Sequence, residues 1–400
     1  MTRNILIFVV VLATGYWSLA TEVRASHLEE RNGLRVAFLE GSPYELGLQH
    51  GQLLKDEVQQ NVRQILGYFR SYVKIPFLGP QLANWWLDHP WNQARPFMPS
   101  EYLEELRGLA EGSGVPLREL WRLHAIPDRT YACSNFAAWG TATASGRLIH
   151  ARNLDWNIEA GIQRHAVVFV VRPTNKQVFV NVGWAGFIGV LSGINEQQLS
   201  IGQIGAETVD ATWRGLPMVF VMRKILEEAS GVEEAVRMIA EAPRTIGTNY
   251  VVADAKVPTA LAIETTHRRV SAFAANDPKE QGVPYARPIA DCVLRADAAV
   301  DPQIRDWQIA SGGDPKRPGL EPPGGSAYDV RYLGQAEGLR ARHGRLTPED
   351  ALAIAKQIAP SSNVQSVIFA WPTMWVANAQ GTTPAARTPY HELDLQELLK

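Results

Sequence analysis

The chain has 400 residues, 46% of them apolar, and its 39 basic and 41 acidic side chains leave a net charge of −2. That is enough apolar chain for one large or two ordinary globular domains. The charge is mixed along the sequence without long like-charge runs, so nothing electrostatic points to a nucleic-acid partner.

Residues 1–25 read as an export signal. Arg3 supplies a positive start, 5–12 form a compact apolar run, and Val23-Arg24-Ala25 before Ser26 resembles a signal-peptidase site, with Ser18-Leu19-Ala20 as a second candidate. The run is shorter than the ~20 residues a membrane span requires. An uncleaved N-terminal anchor is the alternative; either way the mature chain is expected to be secreted or periplasmic. No later segment is apolar enough to span a bilayer, so no stable membrane span is expected once the signal is removed.

Residues 33–130 read mostly as helix. Ser42-Pro43-Tyr44-Glu45 has the form of a capping box with proline at the first helical position. Helical spacing runs on through Leu46, Leu53, Leu54, Val58, Val62, Ile65 and Leu66. Ser100 opens a second helix that stops at Gly112-Ser113-Gly114, and a third follows Pro116. Between them lies an aromatic stretch, Pro76-Phe77-Leu78-Gly79-Pro80 followed by Trp85, Trp86, Trp91 and Phe97. It reads as local core packing, as an apolar wall for a substrate acyl group, or as a membrane-interface contact.

From Cys133 onward the pattern changes to strands, expected at 135–142, 147–153, 165–172, 177–183, 187–194, 199–204, 249–254, 259–264 and 268–273. Two helices are expected near 216–229 and 231–241, a third from Thr347-Pro348-Glu349-Asp350, and a last strand pair at 365–371 and 373–378. The Gly- and Pro-rich 311–326 reads as a loop. Strand runs interrupted by helix pairs predict layered α/β sheets with much antiparallel pairing.

Cys133 and Cys292 are the two cysteines of the chain. They could form a disulfide, as exported proteins often do; a thiol kept free in such a compartment more often has a chemical role. Two cysteines without a tight histidine cluster argue against a structural zinc site, and no metal or other cofactor is expected. No Gly-x-Ser-x-Gly elbow, His-Glu-x-x-His pair or phosphate-binding Gly-rich loop is present. His150 alternates with Leu148 and Arg152 and reads as structural.

Several segments, taken in order, resemble the acyl-coenzyme A:6-aminopenicillanic-acid acyltransferase family of autoproteolytic N-terminal-nucleophile hydrolases. A looser likeness extends to choloylglycine hydrolases and acid ceramidase. The segments are 42–51; Cys133 with Gly146 to Trp156; Gly193-Ile194-Asn195-Glu196 with Thr248 to Asp254; and Trp375-Val376-Ala377-Asn378 with Tyr390 to Leu399. The resemblance covers nearly all of the mature chain. It implies a four-layer αββα sandwich. It also implies a self-cleaved enzyme with a signal over 1–25, a helical first chain over 26–132 and a second chain over 133–400, the two remaining associated.

The chemistry at Cys133 is simple to state. Its thiol could attack the carbonyl of Ala132, and hydrolysis of the resulting thioester would free an α-amine with an unperturbed pKa of ~7.7–8.0. That amine can serve as the base for the thiol, so no histidine is needed. A small buried hydrophobe is the alternative role for Cys133. The resemblance implies that Asp155 orients the amine, that Arg152 holds the thiolate, and that Asn249 donates to an oxyanion. Arg152 and Asp155 differ by three positions, so a regular strand places them on opposite faces, and a bulge near Asn153 would be needed for both to reach the thiol. A surface Arg–Asp pair and a turn Asn are the alternatives; Asn195 reads as a turn residue. Asp291, Arg295 and Asp297 cluster around Cys292, with Arg295 a candidate clamp for a substrate carboxylate and the cluster's role otherwise unassigned. Trp85 and Trp86 are candidates for lining an acyl pocket.

The expected activity is cleavage or transfer of an N-acyl group from a small-molecule amide, with water or an amine as acceptor. A lipid amidase of the acid ceramidase kind and a non-catalytic exported binding protein are the competing readings.

Overall fold

The computed structural model describes residues 26–73, 79–127, 132–311, 330–380 and 382–400. The expected export signal, the Pro76-Phe77-Leu78 part of the aromatic stretch and the expected loop beyond 311 lie outside the described residues.

The described residues open with two strands that helical spacing did not predict, β1 (His27–Arg31) and β2 (Leu34–Gly41). They form a hairpin at Asn32-Gly33, both at positive φ. β2 is held from its other side by a parallel strand far along the chain, with Val36 paired to Val168, a partner that local periodicity cannot reveal.

Five helices follow: α1 (Pro43–Leu53), α2 (Lys55–Ser71), α3 (Gly79–Ala94), α4 (Ser100–Ser113) and α5 (Leu117–Ala125). The predicted capping box is present, with the Glu45 carboxylate accepting from the Ser42 backbone N–H at 2.8 Å and from its hydroxyl at 2.6 Å. The long first helix is broken at Leu54 into α1 and α2. α1 packs on α4 almost backbone to backbone: a Cβ on Gly47 would lie 1.9 Å from the Glu105 carbonyl, and one on Gly108 2.1 Å from the Tyr44 carbonyl.

The strand-rich part comprises β3 (Ala132–Ala138), β4 (Ile149–Asp155), β5 (Ala166–Pro173), β6 (Phe179–Trp184), β7 (Ser192–Asn195) and β8 (Leu199–Gly205). It continues with α6 (Met218–Glu228), α7 (Val232–Glu241), β9 (Thr248–Asp254), β10 (Thr259–Thr265), β11 (Val270–Phe273) and β12 (Cys292–Arg295). Helices α8 (Pro302–Ala310), α9 (Val330–Arg342) and α10 (Pro348–Ile358) follow, then β13 (Asn363–Ala370), β14 (Thr373–Asn378), β15 (His391–Asp394) and α11 (Leu395–Leu398). The predicted strands and helices in this half are all found, with shifted ends, while β12, β15, α8, α9 and α11 were not predicted.

Two sheets result. One runs β1-β2-β5-β6-β7-β8-β9-β10-β11 and the other β12-β3-β4-β13-β14-β15, with β2–β5 the parallel pair. They stack face to face. Val36, Val168, Val180 and Val182 of the larger sheet meet Val367, Phe369, Met374 and Val376 of the smaller. Ala137 and Val293 meet Val251, Ala253 and Ala260. α1, α6 and α7 cover the outer face of the larger sheet, and α9 and α10 that of the smaller. This is the expected four-layer αββα sandwich. Its strands read as near-continuous apolar runs because both faces of each sheet are covered.

Candidate active site at Cys133

Cys133 is the second residue of β3, which pairs antiparallel with β4 so that Cys133 lies opposite Leu154 and Asn135 opposite Arg152. Directly opposed residues share a face, and so do residues two apart. Arg152 therefore projects on the side of the thiol: its Nη2 donates to Cys133 Sγ at 3.5 Å and to the Gln203 carbonyl at 3.3 Å. Gln203 comes from β8 in the facing sheet, and its Nε2 lies 4.0 Å from Sγ. Neighbouring Gly202 leaves the slot that Arg152 fills, since a Cβ there would sit 2.8 Å from Arg152 Cγ and 2.3 Å from Asn135 Nδ2.

The thiol is fully buried. Burial pushes it up to about 12; the Arg152 guanidinium pulls it down, and the Asp155 and Asp297 carboxylates add to the rise. Both cysteines are free, which excludes the disulfide; Cys292 faces Ala138 at the far end of β3.

β4 is regular against β3, without a bulge at Asn153; the register shift lies in β13, between Asn363 and Gln365. Asp155 therefore sits on the opposite face from Arg152, as strand periodicity requires, and both still flank Cys133 because one faces the thiol and the other the helical layer beside the backbone. Asp155 Oδ1 accepts from Asn363 Nδ2 at 3.0 Å and Oδ2 from Arg331 Nη1 at 3.1 Å. Burial raises its carboxyl, with Arg331 and Asn363 holding it down.

The cluster expected around Cys292 separates into three parts. Asp291 accepts from the Thr141 backbone and hydroxyl at 2.7 and 2.6 Å. Arg295 is buried and donates to Glu264 at 2.6 Å, Glu280 at 2.7 Å and the Leu294 carbonyl at 2.7 Å. With its guanidinium spent on two buried carboxylates it cannot serve as a clamp for a substrate carboxylate, and that expectation is corrected. Asp297 lies at Cys133, where its Oδ1 accepts the backbone N–H at 2.9 Å and its Oδ2 pairs with Arg331 Nη2.

Asn249 is the second residue of β9. Its Nδ2 donates to the Ala296 carbonyl at 3.0 Å and to the Asp297 carbonyl at 3.5 Å, so it anchors the segment that carries Asp297. His150 holds Ser200 and Asn135 at 2.7 Å each and is structural, as read.

Trp91 is buried against Trp121, whereas Trp85 is 66% and Trp86 39% exposed on α3. Trp86 stacks on Phe69, which in turn contacts Trp156, the residue after Asp155. Trp85 lies 5.8 Å from the His89 ring. His89 and Gln93 line one side of a cleft of about 420 Å³, with Ala211, Thr212, Trp213, Arg214 and Ile246 on the other. The latter residues belong to the connections that leave β8 and enter β9, at the strand ends that carry Gln203 and Asn249.

Gln203, Arg331 and Asn363 escaped the sequence reading, as did the position of Asp297. A long amide in the strand Leu199–Gly205, otherwise Leu, Ser, Ile and Gly, was a readable signal, because a buried amide needs partners. Arg331 carries no local signal; it reaches the site only because α9 packs on the smaller sheet.

A model of the acyl-coenzyme A:6-aminopenicillanic acid acyl-transferase family matches residues 141–278. The span takes in Arg152, Asp155, Gln203 and Asn249 and begins after Cys133. Protein dcd1B of Dictyostelium discoideum is 28% identical over 264 residues, which are 61% of this chain and 53% of that protein. The acid ceramidase of Rattus norvegicus is 25% identical over 182 residues, 38% of this chain and 44% of that one. The chain thus spans about half the length of these relatives. A Caenorhabditis elegans N-acylethanolamine-hydrolyzing acid amidase ortholog has a solved structure that aligns with 66% of this chain and 100% of its own, at 14% identity and a TM-score of 0.44. The chain is thus similar to the acyl-coenzyme A:6-aminopenicillanic acid acyl-transferase family over residues 141–278, about a third of its length.

Proposed function

We propose that the protein is an exported, self-processing cysteine amidohydrolase or acyltransferase that acts on N-acyl amides through a Cys133 thioester. The observation that carries this reading is the buried Cys133 thiol within 3.5 Å of Arg152 Nη2, on the second residue of a strand whose first residue is Ala132.

In maturation, Sγ attacks the Ala132 carbonyl carbon. The S–C bond forms, the C–N bond breaks, and the thiol proton passes to the Cys133 nitrogen. Water then cleaves the thioester, leaving a carboxylate on Ala132 and a thiol beside a free α-amine. In turnover that amine takes the thiol proton, the thiolate attacks the substrate amide carbonyl, and the ammonium returns the proton to the departing amine. Water or a second amine then takes the acyl group. Arg152 stabilises the thiolate, and Gln203 or a released Asn249 amide donates to the oxyanion. Release of the chain end at Ala132 uncovers the thiol, and the cleft beside α3 is the entrance. The two chains stay together because 26–132 supply β1 and β2 to the larger sheet and α1 to its cover.

Intact mass spectrometry with N-terminal sequencing of the purified protein tests the reading. Two co-eluting fragments are expected, the larger beginning at Cys133, and none from Cys133→Ala. A wild-type chain that stays whole would falsify the proposal. A start near Ser26 for the smaller fragment is expected from the export signal.

The exposed Trp85 and Trp86 beside the cleft favour an apolar acyl group and, as a second reading, a lipid amidase. Detergent-stimulated hydrolysis of long-chain amides is then expected, and Trp86→Ala should lower the ratio of long- to short-chain turnover. An unchanged ratio sinks the lipid reading.

A further inference from the structure

We propose that Asp297 is the carboxylate that holds the Cys133 nitrogen, first as the scissile amide and then as the α-amine, while Asp155 acts one step removed through Arg331. This rests on the self-processing reading above.

Three observations carry it. Asp297 Oδ1 accepts from the Cys133 nitrogen at 2.9 Å. Both oxygens of Asp155 are committed elsewhere, Oδ1 to Asn363 and Oδ2 to Arg331. The placement also follows from topology. β12 pairs with β3 so that Cys292 faces Ala138 and Arg295 faces Asn135. Two further steps in that antiparallel register bring residue 297 opposite residue 133. The ladder ends at Arg295, and the Asp297 side chain takes the N–H that the next ladder bond would have taken.

The carboxylate is held from three sides. Its Oδ2 pairs with Arg331 of α9, and its own carbonyl accepts from Gln308 of α8 at 2.8 Å and from Asn249 of β9 at 3.5 Å. Its side chain keeps 22% exposure where that of Asp155 keeps 1%, so Asp297 is also the group through which water and protons can reach a fully buried thiol. The charged groups that face this nitrogen are Asp297 itself, Arg331 from α9, and Asp155 and Arg152 from β4; β8 and β9 contribute the neutral Gln203 and Asn249. A carboxylate in direct contact favours the ammonium form of the amine. Arg331, shared between two carboxylates, fixes their spacing and offsets part of their joint charge.

Because the chain has two cysteines, labelling with [15N]cysteine gives a two-signal readout. An amide shift for Cys133 means an intact chain; an amine shift means a cleaved one, and its dependence on pH gives the amine pKa. No amine signal in the wild type defeats the self-processing reading, independently of Asp297. With the signal present, Asp297→Asn should lower the amine midpoint by about one unit, whereas Asp155→Asn should move it by less than half as much. A larger shift in Asp155→Asn overturns the proposal. Asp297→Glu, which keeps the charge, must retain the wild-type midpoint, or the cleavage itself should Asp297→Asn block it. Identical behaviour of the Glu and Asn variants also overturns it.

Discussion

Cutting the Ala132–Cys133 bond is expected to turn a silent thiol into a reactive one while Cys292 stays silent. Burial pushes both thiols up to about 12 in the intact fold. Against an ordinary cysteine near ~8.5, such a thiol carries roughly 3,000-fold less thiolate at about pH 7.5. Its higher basicity makes each thiolate a better nucleophile, and a Brønsted slope of ~0.4–0.5 returns roughly 25- to 60-fold of that. The net suppression is on the order of a hundredfold before any steric exclusion is counted. Cleavage adds an amine beside Sγ and frees the chain end in front of it; at Cys292 it changes nothing. One experiment reads all of this: a short iodoacetamide pulse, quenching, trypsin and mass spectrometry. Arg129 and Arg147 bracket the site, so the peptide 130–147 reports intact chains and 133–147 reports cleaved ones in the same sample. Alkylation of 133–147 should exceed that of 130–147 by about a hundredfold or more, and the Cys292 peptide should match the slower rate. Equal labelling of 130–147 and 133–147, or Cys292 labelling in step with cleaved Cys133, refutes the reasoning.

Gly202→Ala forces a methyl into the Arg152 slot, with an expected loss of about 1–3 kcal/mol in denaturant melts and slower cleavage in intact-mass time courses; normal cleavage would show that Arg152 need not sit where it does. Arg295→Met leaves Glu264 and Glu280 buried without their partner and should cost about 3–5 kcal/mol, with stability partly restored by adding Glu264→Gln and with an unchanged KM on any substrate. Acid should weaken the fold well above the carboxylate range. Burial lowers His50 to about 3, His124 to about 4 and His150 to about 3. The first two accept backbone N–H bonds from Gly186 and Ile188 that a protonated ring could not accept. Their unfolded pKa is ~6.5, so between there and the folded values the unfolded state binds the extra protons: stability is full above ~6.5 and falls with pH, by on the order of 5 kcal/mol from about pH 7 to about pH 5. Urea midpoints that stay flat over that range contradict the neutral, buried assignment.

Much of the molecule was legible because its signals are local. The capping box at Ser42, the Pro116 start, and the apolar runs of β5, β8 and β9 each carry their own physical reason within a few residues. So does Cys133 ahead of a turn and a returning strand, whereas Arg152 was set beside the thiol by the family resemblance, and period two said only that it and Asp155 lie on opposite faces. Other features depend on partners far along the chain. β1 and β2 are strands because β5 waits at their edge, and Trp91 is core while Trp85 faces water because α5 covers one side of α3. The charged site is the clearest case. Arg295 and Asp297 are two residues apart and looked like one cluster, yet the end of a four-residue ladder sends one guanidinium into a buried ion-pair network and the other side chain to Cys133. Sequence by itself singled out Cys133 as a candidate nucleophile and gave the layered α/β class, since these follow from residue type and periodicity, while the family resemblance supplied Arg152 as its basic neighbour. Only the tertiary structure decided which carboxylate touches the Cys133 nitrogen, because that contact is set by the register between β12 and β3 and by α9 delivering Arg331 across the sheet.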